Sequence, residues 1–188
     1  MNDVATGEPI NWDEVERLFT DFRFSAFRLE TLQRYESEDE REPFRRFLGG
    51  EIERSSILKE WQAEIREGIG NGRTYSRVHV VTEPLSDYVR FECAWAYRSN
   101  VTAGENIRIL AVEEGEWPDE LPRLDYWLFD SRRLLVMNYT AEGALLTTEL
   151  VDDPDSVAAA CAWRDRAVHL SIPYHEYEAR FDTYMRPR

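Results

Sequence analysis

Apolar residues recur at helical spacing over the first third of the chain. Val15, Leu18, Phe19 and Phe22 fall on one helix face, the three-and-four step that buries a stripe. Asn11 stands at the cap position with Glu14 three residues on, the pair that forms a capping box. The spacing of Phe24, Phe27, Leu32 and Tyr35 predicts a second helix. The acidic stretch Glu36 to Glu42 interrupts it and reads as a solvated loop or helix end. Pro43, Phe44, Phe47 and Leu48 predict a short helix closed by Gly49 and Gly50. Ile57, Trp61, Ile65 and Ile69 step by four and predict one more, ended by Gly68, Gly70 and Gly72.

After Asn71 the period changes from helical to alternating. Between Tyr75 and Val81, Val78 and Val80 face one way and Arg77 and His79 the other, which is strand patterning. Glu83-Pro84-Leu85-Ser86 reads as a turn, and Ser86 can cap a helix over Asp87 to Ser99. Ala103-Gly104-Glu105 stops that helix, and Ile107 to Val112 is apolar enough for a buried strand. Strand, helix and strand at this spacing predict a parallel, right-handed βαβ unit. Tyr126 to Phe129, Leu134 to Tyr139 and Leu145 to Val151 predict three strands joined by hairpin-length links, an antiparallel meander. Asp153-Pro154 opens a long helix carrying Val157, Ala160, Cys161 and Val168, and Pro173 ends it. The tail from Tyr174 to Arg188 is aromatic and charged, with some helical character. The expected fold is α/β, with α+β as the alternative. A helical region over 1–70 and an α/β core over 71–188 form one compact domain, with Gly70 to Gly72 as the only seam.

Composition narrows the function classes. The 188 residues include 37 acidic and 23 basic ones, a net charge of -14. That balance argues against direct nucleic-acid binding, which needs clustered basic residues. Lys59 is the only lysine, so Schiff-base chemistry has a single candidate. Cys93 and Cys161 each lie in an apolar helical stretch and read as buried free thiols. No basic segment with an apolar run opens the chain, and no apolar stretch reaches bilayer length, so the expectation is a cytoplasmic protein without membrane contact.

Several familiar chemistries find no motif. No serine sits in a nucleophile elbow, the glycines at 68, 70 and 72 lack the lysine of a phosphate loop, and the histidines and cysteines have no metal-ligand spacing. Neither a metal nor another cofactor is therefore expected. The candidate binding site is an arginine-centred cluster after the first alternating strand: Arg77, His79, Glu83, Asp87, Tyr88 and Arg90. In parallel α/β units ligands gather at strand ends and helix starts. The competing reading of these residues is an ion-pair network around a partly buried arginine. Asp130, beside Ser131, is a further candidate, although hairpin chemistry explains it as well. Asp125 and Asp130 flank one strand on opposite faces, which argues against a glycosidase-like pair. Glu30 and Tyr35, with Arg28 and Arg34, read as a solvated helix face before they read as a site.

Glu83-Pro84-Leu85-Ser86-Asp87-Tyr88, Ala103-Gly104-Glu105, Asp125-Tyr126-Trp127-Leu128-Phe129-Asp130-Ser131 and Arg164-Asp165-Arg166-Ala167 together resemble an actinobacterial family catalogued as a domain of unknown function. The resemblance covers nearly the whole chain. It implies a gene neighbourhood with helix-turn-helix regulators and small acidic proteins, and no reaction or ligand. At fold level the pattern also resembles half of a phospholipase D-like domain. Catalysis there needs a His-x-Lys pair, and here His79, His169 and His175 are followed by Val80-Val81, Leu170-Ser171 and Glu176-Tyr177. The expected function is a non-catalytic regulatory or protein-interaction module whose partner is a DNA-binding regulator. The alternative is a small enzyme, toxin or ligand sensor that acts on a nucleotide or phosphoester through the arginine cluster.

Overall fold

A computed structural model describes residues 4–51 and 59–181. Its centre is a mixed sheet of eight strands in the order β1-β7-β6-β5-β2-β3-β4-β8. These are β1 (Glu8–Pro9), β2 (Ser25–Glu30), β3 (Thr74–Glu83), β4 (Asn106–Glu113), β5 (Asp125–Phe129), β6 (Arg133–Tyr139), β7 (Leu145–Val151) and β8 (Ile172–Pro173). Strands β2, β3 and β4 run parallel, and β5, β6 and β7 form the antiparallel meander against β2. The α/β reading of the sequence thus holds.

The helices are α1 (Trp12–Asp21), α2 (Glu38–Leu48), α3 (Lys59–Gly70), α4 (Asp87–Phe91), α5 (Arg98–Ala103), α6 (Pro154–Leu170) and α7 (Tyr174–Phe181). Between α4 and α5 the chain winds as a π-helix over Glu92–Tyr97. Local chemistry explains the ends. Asn11 and Glu14 make the reciprocal capping box of α1, Ser86 and Asp153 cap α4 and α6, and Gly104 closes α5 at φ 114°, where a side chain would be strained.

One predicted element is wrong in kind. The helix expected through Phe24, Phe27, Leu32 and Tyr35 is the strand β2 followed by a loop. Both edges of β2 are paired, to β3 on one side and β5 on the other, so its polar backbone is satisfied by the sheet and helical spacing of four apolar residues is overridden. Residues before Gly70 thereby supply a middle strand. The acidic stretch also differs: α2 starts inside it at Glu38, where carboxylates suit the positive end of the helix. The expected helix contact of Ile57 and the tail beyond residue 181 lie outside the described residues.

Alternation along the central strands sorts the two faces. Phe27 and Leu29, Val78 and Val80, Tyr126 and Leu128, and Leu134 and Val136 are buried together against Ala160, Trp163 and Ala167 of α6. On the other face α1 and α3 cover one end through Val15, Leu18, Phe22 and Ile65 against Tyr75, Phe129 and Leu135. The α4–π–α5 segment covers the opposite side through Val89, Cys93, Ala96 and Tyr97. Between these two helical groups the residues facing outward from β2 and β3 are Arg28, Glu30, Arg77 and His79. No described helix is long and apolar enough to cross a membrane.

Candidate functional site

The gap between the helices is a cleft of about 910 Å³. Its floor is charged and buried. Register places Arg28 beside Arg77 and Glu30 beside His79 on the parallel pair β2–β3. Two neighbouring arginines would repel, so each is bound by carboxylates. Arg77 Nη1 donates to both oxygens of Glu30 at 3.0 and 3.1 Å, and its Nε donates to Glu105 at 2.7 Å. Arg28 Nη2 donates to Asp125 at 3.2 Å and to the Tyr139 hydroxyl at 3.0 Å, with Glu30 3.5 Å from its Nε. The Asp125 carboxylate also accepts from the Thr31 backbone and hydroxyl and from Tyr35. Buried charges survive only when paired in this way.

His79 lies under the floor with no exposure. Its Nε2 meets the Leu32 carbonyl at 2.7 Å, so that nitrogen carries a proton, and its Nδ1 meets the Tyr97 hydroxyl at 2.7 Å. The same hydroxyl lies 2.9 Å from Glu30, so its single proton goes either to that oxygen or, with the imidazole neutral, to Nδ1. Burial pushes the imidazole down from its ordinary range, toward the neutral form. Burial alone would raise the Glu30 carboxyl, but Arg77 and Arg28 hold it down to about 2.

The walls are aromatic and acidic. Phe19, Trp61 and Trp127 pack edge to face with centroids 4.9 to 5.8 Å apart. Tyr35 does the same with Tyr139 at 5.2 Å. Tyr88 donates to Glu40 at 2.6 Å on a second wall. The π-helix brings Glu92, Ala96 and Tyr97 onto the cleft side together, because its wider turn aligns positions four and five apart. Burial raises the Glu40 carboxyl, and raises Glu92 well above the carboxylate range with help from the charges on Glu40 and Glu30.

The chain matches the family described as Domain of unknown function (DUF6879) over residues 13–179. It belongs to that family. No curated protein sequence matches it. Among solved structures, the DUF6879 domain is similar to TrmBL2, an archaeal chromatin protein, at TM-score 0.46 and 10% identity, over 89% of this chain and 52% of that one. It is also similar to a phosphatidylserine synthase from Haemophilus influenzae Rd KW20 at TM-score 0.48 and 12% identity, over 91% of this chain and 39% of that one. The DUF6879 domain thus spans about half of the first protein and two fifths of the second.

Of the residues singled out in the sequence, Arg77 and Tyr88 line the cleft of the DUF6879 domain and His79 lies beneath it. The others are elsewhere. Glu83 accepts from the Tyr177 hydroxyl at 2.9 Å at the far end of β3. Asp87 pairs with Arg90 at 2.8 Å at the start of α4, and neither lines the cleft. Asp130 sits in the β5–β6 turn at φ 52° and accepts the backbone N–H groups of Arg23, Phe24 and Ser25 at 2.7 to 2.9 Å. These bonds stitch the start of β2 to the hairpin and hold the Asp130 carboxyl low against its partial burial. Asp130 therefore acts in the turn, as hairpin chemistry suggests.

Glu30, Arg28 and Tyr35 form the floor with Asp125, not a solvated helix face. The alternation Phe27, Arg28, Leu29, Glu30 is a local signal for Arg28 and Glu30 alone. Nothing in the sequence marks Glu92 and Tyr97, whose placement depends on the π turn.

One group has metal-like geometry. Ligand atoms of Glu30, His79 and Glu92 lie within 4.8 Å of one another. The Tyr97 hydroxyl bonds His79 and Glu30 within this group. With the Tyr97 hydroxyl 2.7 Å from His79 Nδ1 and 2.9 Å from Glu30, these residues form a hydrogen-bond hub.

Proposed function

We propose that this DUF6879 domain is a cytoplasmic, non-catalytic regulatory module that senses a small molecule in the cleft. The observation that carries the reading is a cleft of about 910 Å³ over a floor whose charges already bind one another. That size suits a small organic ligand. The groups that phosphoester chemistry would use are engaged: Arg28 and Arg77 hold carboxylates, and His79 is sealed with both nitrogens bonded. A fixed polar floor with aromatic walls favours recognition over turnover. Helices α1 and α3 pack on a different part of the sheet from α4–π, so a ligand that meets both can alter what a protein partner sees.

A thermal-shift screen of nucleotides, amino acids, amines and organic acids tests this directly. The expected result is a compound that raises Tm by several degrees and slows amide exchange in residues 28–40 and 88–100. Stabilisation that maps outside those segments, or none across the screen, refutes the reading. Turnover of a nucleotide or phosphodiester, abolished by Arg77→Met in a protein that still folds, would favour the enzyme alternative.

A further inference from the structure

We propose that the hub beneath the cleft is a binding site for one divalent transition-metal ion of the zinc class, held by His79, Glu30, Tyr97 and Glu92. This stands apart from the sensor reading, which concerns the space above the floor.

Three distances carry it. His79 Nδ1 lies 3.9 Å from Glu30 Oε2. The Tyr97 hydroxyl lies 2.7 Å from the first of these atoms and 2.9 Å from the second. A triangle with those sides has a point about 2 Å from all three corners, which is the length of a zinc–nitrogen or zinc–oxygen bond. A carboxyl oxygen of Glu92 lies within 4.8 Å of the His79 and Glu30 ligand atoms, near enough to complete a set of four. The four residues come from three elements, β2, β3 and the π-helix, so their sequence spacing gives no sign of a site. Glu92 and Tyr97 stand five apart, the step that a π turn brings to one side.

The hydrogen bonding points the same way. His79 Nε2 donates to the Leu32 carbonyl at 2.7 Å. Such an outer bond fixes the tautomer of a metal-bound histidine and leaves the other nitrogen with its lone pair. The Tyr97 hydroxyl has one proton for that lone pair and for Glu30. With the imidazole neutral, one of the two short contacts therefore has no proton in it, and an ion among the three atoms satisfies them all. The charge balance agrees. Arg28 and Arg77 both bind Glu30, and each holds one further carboxylate, Asp125 or Glu105. Glu92, 4% exposed, has no ion pair among the described residues. A divalent cation supplies the charge that no guanidinium brings to it. The imidazole among the donors favours zinc over magnesium or calcium, which prefer oxygen alone.

The test is metal titration of the full chain after treatment with a chelator. Zn2+ should bind at one ion per chain, at least tenfold tighter than Mg2+ or Ca2+, and should raise Tm. In protein with 15N-labelled histidine, Zn2+ should shift the Nδ1 signal of His79 and leave those of His169 and His175 in place. Glu92→Gln and Tyr97→Phe, each close to the native side chain in shape, should lower Zn2+ affinity at least tenfold. Zn2+ spread over several weak sites, or a His79 signal unmoved at saturation, overturns the proposal and leaves the sensor reading standing. So does an affinity unchanged in both variants. If neither variant folds, the 15N signal of the wild-type protein decides alone. An empty thermal-shift screen beside a filled zinc site removes the sensor reading and not this one.

Discussion

Replacing Glu30 with glutamine keeps its size and removes its charge at the point where three partners meet. In the native floor Glu30 takes two bonds from Arg77 at 3.0 and 3.1 Å, with the Tyr97 hydroxyl at 2.9 Å and Arg28 at 3.5 Å. Two routes give the size of the loss. Breaking one partner out of a buried pair costs about 3–5 kcal/mol. Independently, a carboxyl drawn from 4.5 down to about 2 contributes about 3 kcal/mol at about 1.4 kcal/mol per pH unit. A loss near 3 kcal/mol lowers Tm by about 6–12 °C in a domain of this size. Urea unfolding at pH 7 measures it, and adding Arg77→Met should return part of the loss, because the uncompensated guanidinium then goes too. The pH dependence has a definite sign. Glu30 is more acidic folded than unfolded, so its contribution is present above about pH 4.5 and is lost as pH falls toward 2. Wild type and Glu30→Gln should therefore converge in strong acid. A loss under about 1 kcal/mol at pH 7, or a gap that does not narrow with acid, would refute the account of the floor.

Three further outcomes are expected. Asp130→Ala removes the acceptor for three backbone N–H groups and should cost about 1–2 kcal/mol by urea unfolding, whereas Asp130→Asn, which tolerates the turn's positive φ, loses less. Ligand affinity in the cleft should be the same in both, since Asp130 is not part of it. Gly68→Ala drives a methyl into the ring and hydroxyl of Tyr75, on the packed side of α3; the strain should lower stability by about 1–3 kcal/mol, and a stability equal to wild type would show that α3 packs differently. Glu92 has the opposite pH sign to Glu30: its folded carboxyl is raised, so its cost appears as pH climbs past 4.5 and the unfolded chain ionises first. Glu92→Gln should then gain stability over wild type at pH 8 compared with pH 4, and a constant difference across that range would count against a neutral Glu92.

Much of the fold is a local matter and is legible in the residues. The capping box of α1, the caps Ser86 and Asp153, the parallel β3–β4 pair and the β5–β7 meander follow from periodicity and turn chemistry. Such signals act over a few residues, and the sheet agrees with them. The segment from Phe24 to Tyr35 is different. Its apolar spacing suits a helix, and only pairing with β3 on one edge and β5 on the other makes it a strand. Backbone hydrogen bonds on both edges come from chain far away in sequence, which no local window contains.

The candidate site inherits that error. Arg77, His79 and Tyr88 could be picked out from the sequence because β3 and α4 were read correctly. Arg28 and Glu30 show in the sequence only as the polar positions of an alternating run, and their meeting with Asp125 depends on β2 lying between β3 and β5. Glu92 and Tyr97 needed a further tertiary fact, the π turn that swings both toward the floor. The sequence by itself determined that charged residues alternate with apolar ones along β3, with Val78 and Val80 on one face and Arg77 and His79 on the other. Only the tertiary structure decided that the charges would neutralise one another beneath a cleft. Burial makes an unpaired charge far more costly than any local preference can repay, so the pairing was settled by which strands became neighbours.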